Sequence, residues 1–322
     1  MPTRDCTNSA ARAPRGLSRR RWLKAAASAA LAGALPRIAA GQDASAPLAA
    51  ADLRDGLLVL SGAGANILCA ASSDRLMLVD GGSREAAPRV LERLAERWPG
   101  RKVDLLFHTN WREEHTGGNE TFAAAGAAIM AHENTKLWLG ADFFVEWEGR
   151  RHAARPARAL PTKTYYTSGA DVLGGRKVDY HHLPRAHTDG DTAVFLPDAN
   201  VLAASDLLAI GAYPIVDYAT GGWIGGLEEA TRALLAIVDA ETRIVPAAGP
   251  ASGRAALEDQ LELCTAVRER VADAFRRGMS FTDFAASEPT REFDAARGDP
   301  LEFLALVYEG AWAHVRELGG II

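Results

Sequence analysis

The chain has 322 residues, of which 48% are hydrophobic, and this composition excludes intrinsic disorder and fibrous repeats. Its 36 lysine and arginine residues and 41 aspartate and glutamate residues give a formal net charge of -5. Residues 1–42 hold eight basic residues and one acid, Asp5, so the remainder has 28 basic and 40 acidic residues and a net charge of -12. An acidic body argues against nucleic acid or an anionic membrane surface as a partner.

The first forty residues have the pattern of an export signal. A basic segment, SRRRWLK (18–24), precedes the weakly hydrophobic AAASAALAGAL and small residues at 38–41. This order is typical of a secretory signal, and the paired arginines before an aromatic residue and a leucine indicate the twin-arginine type. The apolar segment is shorter than the roughly 20 residues that span a bilayer.

We therefore expect residues 1–42 to be a twin-arginine signal peptide and linker, with the twin-arginine translocase as a partner during export. The expected location is the periplasm of a bacterium, without a stable membrane anchor. The alternative is an uncleaved membrane anchor or a chance basic tail.

Strands and helices alternate along the rest of the chain, after an alanine-rich linker to about Ala51. Strands are predicted at 57–60, 66–70, 75–79, 103–107, 127–131, 180–183, 192–196, 201–204 and 242–245. Helices are predicted at 84–98, after Asn119, and at 227–239, 252–278 and 300–318. Because there is no internal repeat and no break in composition, we predict one α/β domain over residues 51–322, with helices outside its sheets.

Only two cysteines, Cys69 and Cys264, lie beyond the predicted signal. An oxidising compartment would permit a disulfide between them. Both lie in apolar segments, where a buried and unreactive thiol is the commoner state, so the pairing stays open.

Four polar segments directly follow predicted strands, where loops carry functional groups on a rigid scaffold. They are FHTNWREEHTGGNE (107–120), PRAHTDGDTAVF (184–195), VLAASDLL (201–208) and IVPAAGPASG (244–253). These segments supply His115, His187 and Asp206, with Glu114 beside His115. Imidazole and carboxylate groups of this kind can bind zinc or iron.

The order and spacing of these segments resemble the metallo-β-lactamase superfamily. The resemblance is carried by LMLVDGG (76–82), HTGGNE (115–120), HTDGDTAVF (187–195), NVLAASDLL (200–208) and the turn before Gly249-Pro250. It covers nearly the whole chain after the signal. It implies a four-layer αββα sandwich, here with a C-terminal helical extension over residues 252–322.

The same resemblance shows departures at the family's metal ligands. Histidines of the family pattern are replaced at Asn110, Arg112 and Ala248. Glu114 stands where the family has an aspartate, and the family's residue types are kept at His115, His187 and Asp206. The usual dinuclear zinc centre is therefore not expected.

Arg112 suggests what replaces the metal. A guanidinium cannot ligate a metal ion, but it can pair with Asp206 or Glu114 and supply positive charge to buried carboxylates. Such a network, with Asn110, Arg112 and Glu114 as its polar groups, favours a non-catalytic or weakly active binding or accessory protein.

The alternative is a periplasmic hydrolase with a single zinc at Glu114, His115 and Asp206, together with His187. In that case Glu114 acts as general base for a water molecule. Against it, the extra methylene of Glu114 moves its oxygens by more than an ångström, while ligand distances tolerate about 0.2 Å. The expected cofactor is therefore none or one zinc.

Several further residues are candidates for a ligand pocket. His108 lies two residues before Asn110 on a predicted strand, so it either faces the site or is hydrogen-bonded at the strand end. Segment 138–166 carries six aromatic residues and resembles a lid for a small aromatic or apolar ligand; equally, these rings pack the insertion or a dimer interface. The other predicted pocket residues are Trp111, Tyr213 and Trp223.

Overall fold

The computed structural model describes residues 47–173 and 175–317, which all belong to one compact unit, Arg37–Ile322. The predicted export signal lies outside the described residues. Within the described ranges, no helix has the length and apolar character needed to cross a membrane.

Fourteen strands are present in the described residues. In chain order they are β1 (Ala49–Asp52), β2 (Leu57–Ser61), β3 (Ile67–Ala71), β4 (Arg75–Val79), β5 (Lys102–Phe107), β6 (Ala128–His132), β7 (Phe143–Val145), β8 (Arg150–His152), β9 (Lys163–Tyr165), β10 (Gly169–Leu173), β11 (Arg176–His182), β12 (Thr192–Leu196), β13 (Val201–Ser205) and β14 (Arg243–Pro246).

The helices are named in the same way. They are α1 (Ala87–Arg97), α2 (Glu113–Thr116), α3 (Asn119–Ala124), α4 (Glu133–Leu139), α5 (Ile224–Ile237), α6 (Arg254–Arg276), α7 (Phe281–Ala286), α8 (Arg291–Arg297) and α9 (Leu301–Glu317), with 3₁₀ turns at Ala157–Ala159 and Tyr218–Thr220.

Two sheets form the centre of the fold. The first has the order β1-β2-β3-β4-β5-β6-β9, and the second has the order β10-β11-β12-β13-β14. In the first sheet β1 to β4 are antiparallel, and β4, β5, β6 and β9 run parallel. In the second, only β13 and β14 run parallel, and α5 lies in the crossover between them. Parallel neighbours require such crossovers, which explains where helices interrupt the strands.

Apolar side chains separate the layers. Met77 and Phe107 of the first sheet pack with Val194 and Val201 of the second in one buried cluster. A second cluster joins the first sheet to α1, and a third joins the second sheet to α5, α6 and α9. The four-layer αββα sandwich with C-terminal helices is therefore confirmed, because each sheet has one face toward the other sheet and one face toward helices.

Some boundaries differ from the sequence prediction. The linker predicted to run to Ala51 is wrong at its end, since Ala49–Asp52 pairs with β2. The helix predicted from residue 84 begins at Ala87, because Ser83 first forms a turn in which its Oγ accepts a hydrogen bond from the Ala86 amide at 3.2 Å. Strands β7 to β9, of three residues each, were not predicted, because such short strands carry too few residues for a periodic pattern.

The parallel strands end at the same edge of the fold. Asp80 follows β4 with φ 63°, and Ser205 closes β13 with φ 51°, so both residues turn the chain sharply. The segment after β5 begins at His108, and the turn after β14 contains Ala248. Residues far apart in the chain thus converge at this edge, where ligands bind in open α/β sheets.

Candidate functional site

One carboxylate oxygen, Asp206 Oδ2, lies at the centre of the candidate site. The Asn110 side-chain amide donates a hydrogen bond to it at 2.8 Å, and His115 Nε2 lies 2.8 Å from it. His187 Nε2 lies 3.6 Å away. The three residues that keep the family's ligand types are therefore together, but Asn110 and His115 already occupy this oxygen.

His115 lies between two carboxylates and is fully buried. Its Nδ1 atom is 2.9 Å from Asp80 Oδ2, while Nε2 faces Asp206. Burial alone lowers the pKa of His115, but the charges of Asp206 and Asp80 together raise it well above its usual value. An imidazolium with a carboxylate beside each ring nitrogen is the state that this arrangement stabilises.

Asp80, which contacts His115 Nδ1, is itself held in place by hydrogen bonds. Its carboxylate accepts hydrogen bonds from the Thr109 amide at 2.9 Å and the Thr109 hydroxyl at 2.8 Å, and Ser205 Oγ lies 3.2 Å from it. Burial opposes ionisation of Asp80, yet the neighbouring histidines lower its pKa below the usual range. Asp80 is therefore an anion held by donors from two strand ends.

Arg112 forms a second charged centre. Its guanidinium contacts Glu114 at 3.1 Å, Glu148 at 2.6 Å and Asp217 at 3.5 Å. Burial opposes the charge, but these carboxylates raise the pKa of Arg112 above its usual value. Of the two partners suggested by the sequence, Glu114 is in contact and Asp206 is not among its ion pairs.

Aromatic rings enclose this arginine. The guanidinium lies 5.4 Å from the ring centre of Trp111 and 5.3 Å from that of Trp147, within the range of cation-π attraction. Trp147 also donates a hydrogen bond from Nε1 to Asp217 at 2.8 Å. In segment 138–166, Trp147 thus reaches the site, while Phe144 and Tyr166 are exposed.

The loop that carries His187 is packed against a glycine-rich segment. His187 Nδ1 is 2.9 Å from the Ile215 carbonyl, which directs Nε2 toward Asp206. A Cβ atom added at Gly222 would lie 2.1 Å from the His187 carbonyl oxygen. Only glycine therefore allows the two segments to approach this closely.

We expect Gly222→Ala to lower the free energy of unfolding by about 1–3 kcal/mol, the usual cost of overpacking a tight contact. Gly140→Ala is the matched control, because its nearest neighbour would be an ordinary 3.4 Å away. Urea unfolding of both variants measures the difference. Equal stabilities would show that the His187 loop tolerates displacement.

Asp191, in the same loop, is 1% exposed and accepts hydrogen bonds from the amide and hydroxyl of Thr188. Burial raises the pKa of Asp191 to about 7, against the opposing effects of His187 and Thr188. The folded protein therefore binds more protons than the unfolded chain between about pH 4 and about pH 7.

The stability that Asp191 contributes should consequently be present below about pH 4 and be lost as the pH rises toward 7. Asp191→Asn should remove this part of the pH dependence, since the amide does not titrate. Urea unfolding of both proteins across this pH range tests it. Profiles that stay parallel would contradict the assigned pKa.

A small pocket opens beside Asp206. Its volume is about 80 Å³, well below the roughly 300–1,000 Å³ of typical small-molecule sites. The lining is largely apolar: Leu208, Ala209, Ile210, Ala212, Pro214, Ile215, Ala247, Ala248 and Gly249. The pocket therefore admits a few water molecules or a small group, but not a large substrate.

The residues present do not fit a dinuclear zinc centre. Among the described residues, no group of three or more His, Cys, Asp or Glu side chains is arranged to hold a metal ion. Glu114 is bound to Arg112, and Ala248 supplies no ligand. Among the described residues, however, the buried Nε2 atoms of His115 and His187 have no partner that meets hydrogen-bond geometry. The contact between His115 and Asp206 is therefore ionic.

Two predicted pocket residues lie elsewhere, and a third, His108, has its Nδ1 atom 3.7 Å from Asp80. The Tyr213 hydroxyl donates to Asp294 at 2.6 Å, and its ring stacks on Phe303, so it belongs to the helical layer. Trp223 stacks on His314 of α9. His108 Nε2 is 2.6 Å from Asn119 Oδ1, which agrees with the simpler alternative of a hydrogen-bonded histidine at a strand end.

Trp111 is 3% exposed and is not among the residues that line the pocket beside Asp206. Its Nε1 donates to Thr220 at 3.1 Å, and its ring packs edge-on against Phe143 and His152. It belongs to the aromatic cluster of segment 138–166, which supports the interpretation that those rings pack the insertion.

Sequence reasoning missed Glu148, Trp147 and Asp217 as members of the Arg112 network. Asp217 lies 105 residues from Arg112, and no spacing pattern connects the two. Asn66 was also missed: its side-chain amide donates to the carbonyls of Pro246 and Gly249 at 2.9 Å each, which holds the turn that carries Ala248. Asp80 lay in the LMLVDGG motif, and that position was its only signal.

The two cysteine thiols in the described residues are not reactive. Cys69 and Cys264 are both free and buried. Burial raises the pKa of Cys264 to about 12 and that of Cys69 higher still, so both stay protonated and unreactive.

Solved structures of other proteins have this fold. A metallo-β-lactamase from Pontibacter korlensis superposes with a TM-score of 0.56 at 18% identity, covering 68% of this chain and 99% of that one. The metallo-β-lactamase DIM-1 superposes with a TM-score of 0.56 at 14% identity, covering 68% and 98%. At these identities the likeness shows the fold alone. No curated protein matches the chain.

The family model described as "Metallo-beta-lactamase superfamily" matches residues 63–249, which is more than half of the chain. The match runs from the loop after β2 to the turn after β14, so it includes every strand end that forms the site. The chain therefore belongs to the metallo-β-lactamase superfamily.

Proposed function

We propose that this protein is a binding or accessory protein of the superfamily, in which two protein cations replace the metal ions. The supporting observation is the occupancy of Asp206 Oδ2 by Asn110 and by His115, each at 2.8 Å. In the same way, the guanidinium of Arg112 pairs with the carboxylate of Glu114 at 3.1 Å.

The positions of the two cations also support the proposal. Asp80 and Asp206 face His115, while Glu114, Glu148 and Asp217 face Arg112. A bound metal would have to displace the proton of His115 and lie near a permanent guanidinium charge, and both effects oppose binding.

Pocket size supports it as well. A cavity of about 80 Å³ beside Asp206 is too small for a large substrate next to an attacking water. The pocket volume therefore argues against hydrolysis of a large substrate at this edge.

Metal analysis tests the proposal. The full chain, incubated with excess zinc and then freed of unbound ions, should hold far less than one ion, and His115→Ala should not change that value. A content of about one zinc per chain that is lost in His115→Ala would refute the metal-free interpretation.

A gain-of-function variant gives the complementary test. Asn110→His, Arg112→His and Ala248→His together restore the histidines of the family pattern. We expect this triple variant to bind zinc where the parent chain does not, with circular dichroism as the check on folding. Failure of a folded triple variant to bind zinc would mean that the backbone, and not the three substitutions, prevents the metal site.

One observation favours the second candidate, a hydrolase with a single zinc. The Nε2 atoms of His115 and His187 both face Asp206 and, among the described residues, have no well-angled hydrogen-bond partner. Zinc retained in the first experiment would favour this candidate.

We also propose export by the twin-arginine route to the periplasm, on the pattern of residues 18–41. Fractionation of a bacterium that expresses the chain tests this, with a variant carrying Lys at 19, 20 and 21 as the control. Equal periplasmic amounts of both proteins would contradict the twin-arginine assignment.

A further inference from the structure

A groove of about 350 Å³ lies beside the insertion and is lined in part by Trp111. Its volume falls within the range of small-molecule sites, roughly 300–1,000 Å³. The groove and the Asp206 pocket share no lining residue, so the question of metal binding does not bear on it.

The groove concentrates positive charge in an otherwise acidic protein. Four arginines line it, Arg84, Arg150, Arg151 and Arg155, against two glutamates, Glu85 and Glu113. A larger cavity of about 640 Å³ among the C-terminal helices has four arginines matched by four carboxylates. That cavity therefore has no excess of cations, whereas the groove has two more arginines than glutamates.

Two of these arginines have no acidic partner. Arg155 pairs with Glu113, and Arg84 pairs with Glu120 at 3.1 Å. Arg150 and Arg151 of β8 are exposed, and in the described part of the chain neither guanidinium takes part in an ion pair or a hydrogen bond, although their backbones pair with β7. Burial and the charge of Arg84 lower the pKa of Arg155, which is the effect expected where positive charge is in excess.

Aromatic rings form the apolar wall of the groove. Phe143 stacks on His152, with ring centres 5.1 Å apart, and tilts against Trp138 at 4.8 Å. All three rings are half-buried, so each has a face that a ligand can reach. Edge-on contacts with the ring of Trp111 hold Phe143 and His152 in position.

We propose that this groove binds a small aromatic carboxylate. The aromatic body would pack on Trp138 and Phe143, and the carboxylate would pair with Arg150, which shares a face of β8 with His152, while Arg151 adds positive charge at the edge of the groove. Guanidinium groups recognise carboxylates through paired N–H donors, and the unpaired state of these two arginines means that no internal ion pair has to be broken.

Calorimetric titration of the full chain with 1-naphthoate tests the proposal. We expect saturable binding that weakens at least tenfold in Arg150→Gln/Arg151→Gln. Both arginines are exposed and unpartnered, so this variant should fold normally. The matched control is Arg276→Gln/Arg277→Gln, which makes the same change in net charge on α6 and just beyond it and should bind as the parent does.

Two further ligands test the negative charge and the aromatic ring separately. The neutral isostere 1-naphthamide should bind at least tenfold more weakly than 1-naphthoate, because it lacks the charge. Inorganic phosphate should also bind more weakly, because it lacks the ring. Absence of saturable 1-naphthoate binding, equal binding by the Arg150/Arg151 variant, or phosphate binding as tight as that of 1-naphthoate would each overturn the proposal.

Discussion

Replacement of Arg112 by methionine should lower the free energy of unfolding by about 3–5 kcal/mol, the usual cost of removing one partner from a buried ion pair. The substitution keeps the apolar stem and removes the charge. Asp217 then remains buried, and Glu114 and Glu148 half-buried, without the guanidinium. Urea unfolding at neutral pH measures the loss.

Two controls separate charge from packing. Arg112→Lys keeps a positive charge and should lose less stability than Arg112→Met, although a lysine cannot match three carboxylates with a planar fork. Adding Glu114→Gln to Arg112→Met should recover part of the loss, since one unpaired charge is removed. An Arg112→Met variant as stable as the parent would mean that Arg112 does not balance these carboxylates.

Replacement of Asp80 by alanine should be similarly costly, about 3–5 kcal/mol. The carboxylate is 2% exposed and receives the Thr109 amide and hydroxyl, while His115 Nδ1 lies at 2.9 Å. Alanine leaves these donors buried and unpaired, and it is also strained at the φ of 63° found there.

Asp80→Asn is the informative companion, because asparagine tolerates positive φ and can still accept hydrogen bonds. It removes one of the two charges that raise the pKa of His115. We expect a smaller loss of stability and a lower pKa of His115, followed by NMR of the imidazole signals. An unchanged His115 pKa in a folded Asp80→Asn protein would show that Asp206 alone sets it.

Much of the fold follows from local patterns. Short apolar runs predicted β2, β4, β5, β12 and β13 close to their observed bounds, and α5, α6 and α9 were predicted to within three residues of theirs. The strand predictions succeed because strands buried on both faces, such as β13, appear in the sequence as continuous apolar runs. The hairpin β7-β8 was not predicted, because its residues are held by aromatic contacts within the insertion and not by a periodic pattern of their own.

The candidate site divides in the same way. The motifs identified Asn110, Arg112, Ala248, His115, His187 and Asp206 from residue type and order alone. Tyr213 and Trp223 were misplaced because a large aromatic side chain after Asp206 can pack on the C-terminal helices as readily as on the pocket. Only the packed layers distinguish these outcomes.

The amino-acid sequence alone indicated the superfamily and predicted that three metal-ligand positions had changed, since both depend on residue identity at ordered positions. Tertiary structure decided which cations serve which carboxylates. His115 faces Asp80 and Asp206, and Arg112 faces Asp217 across 105 residues of chain. Such pairs form when separate strand ends meet at one edge of the sheets, and chain spacing carries no record of that meeting.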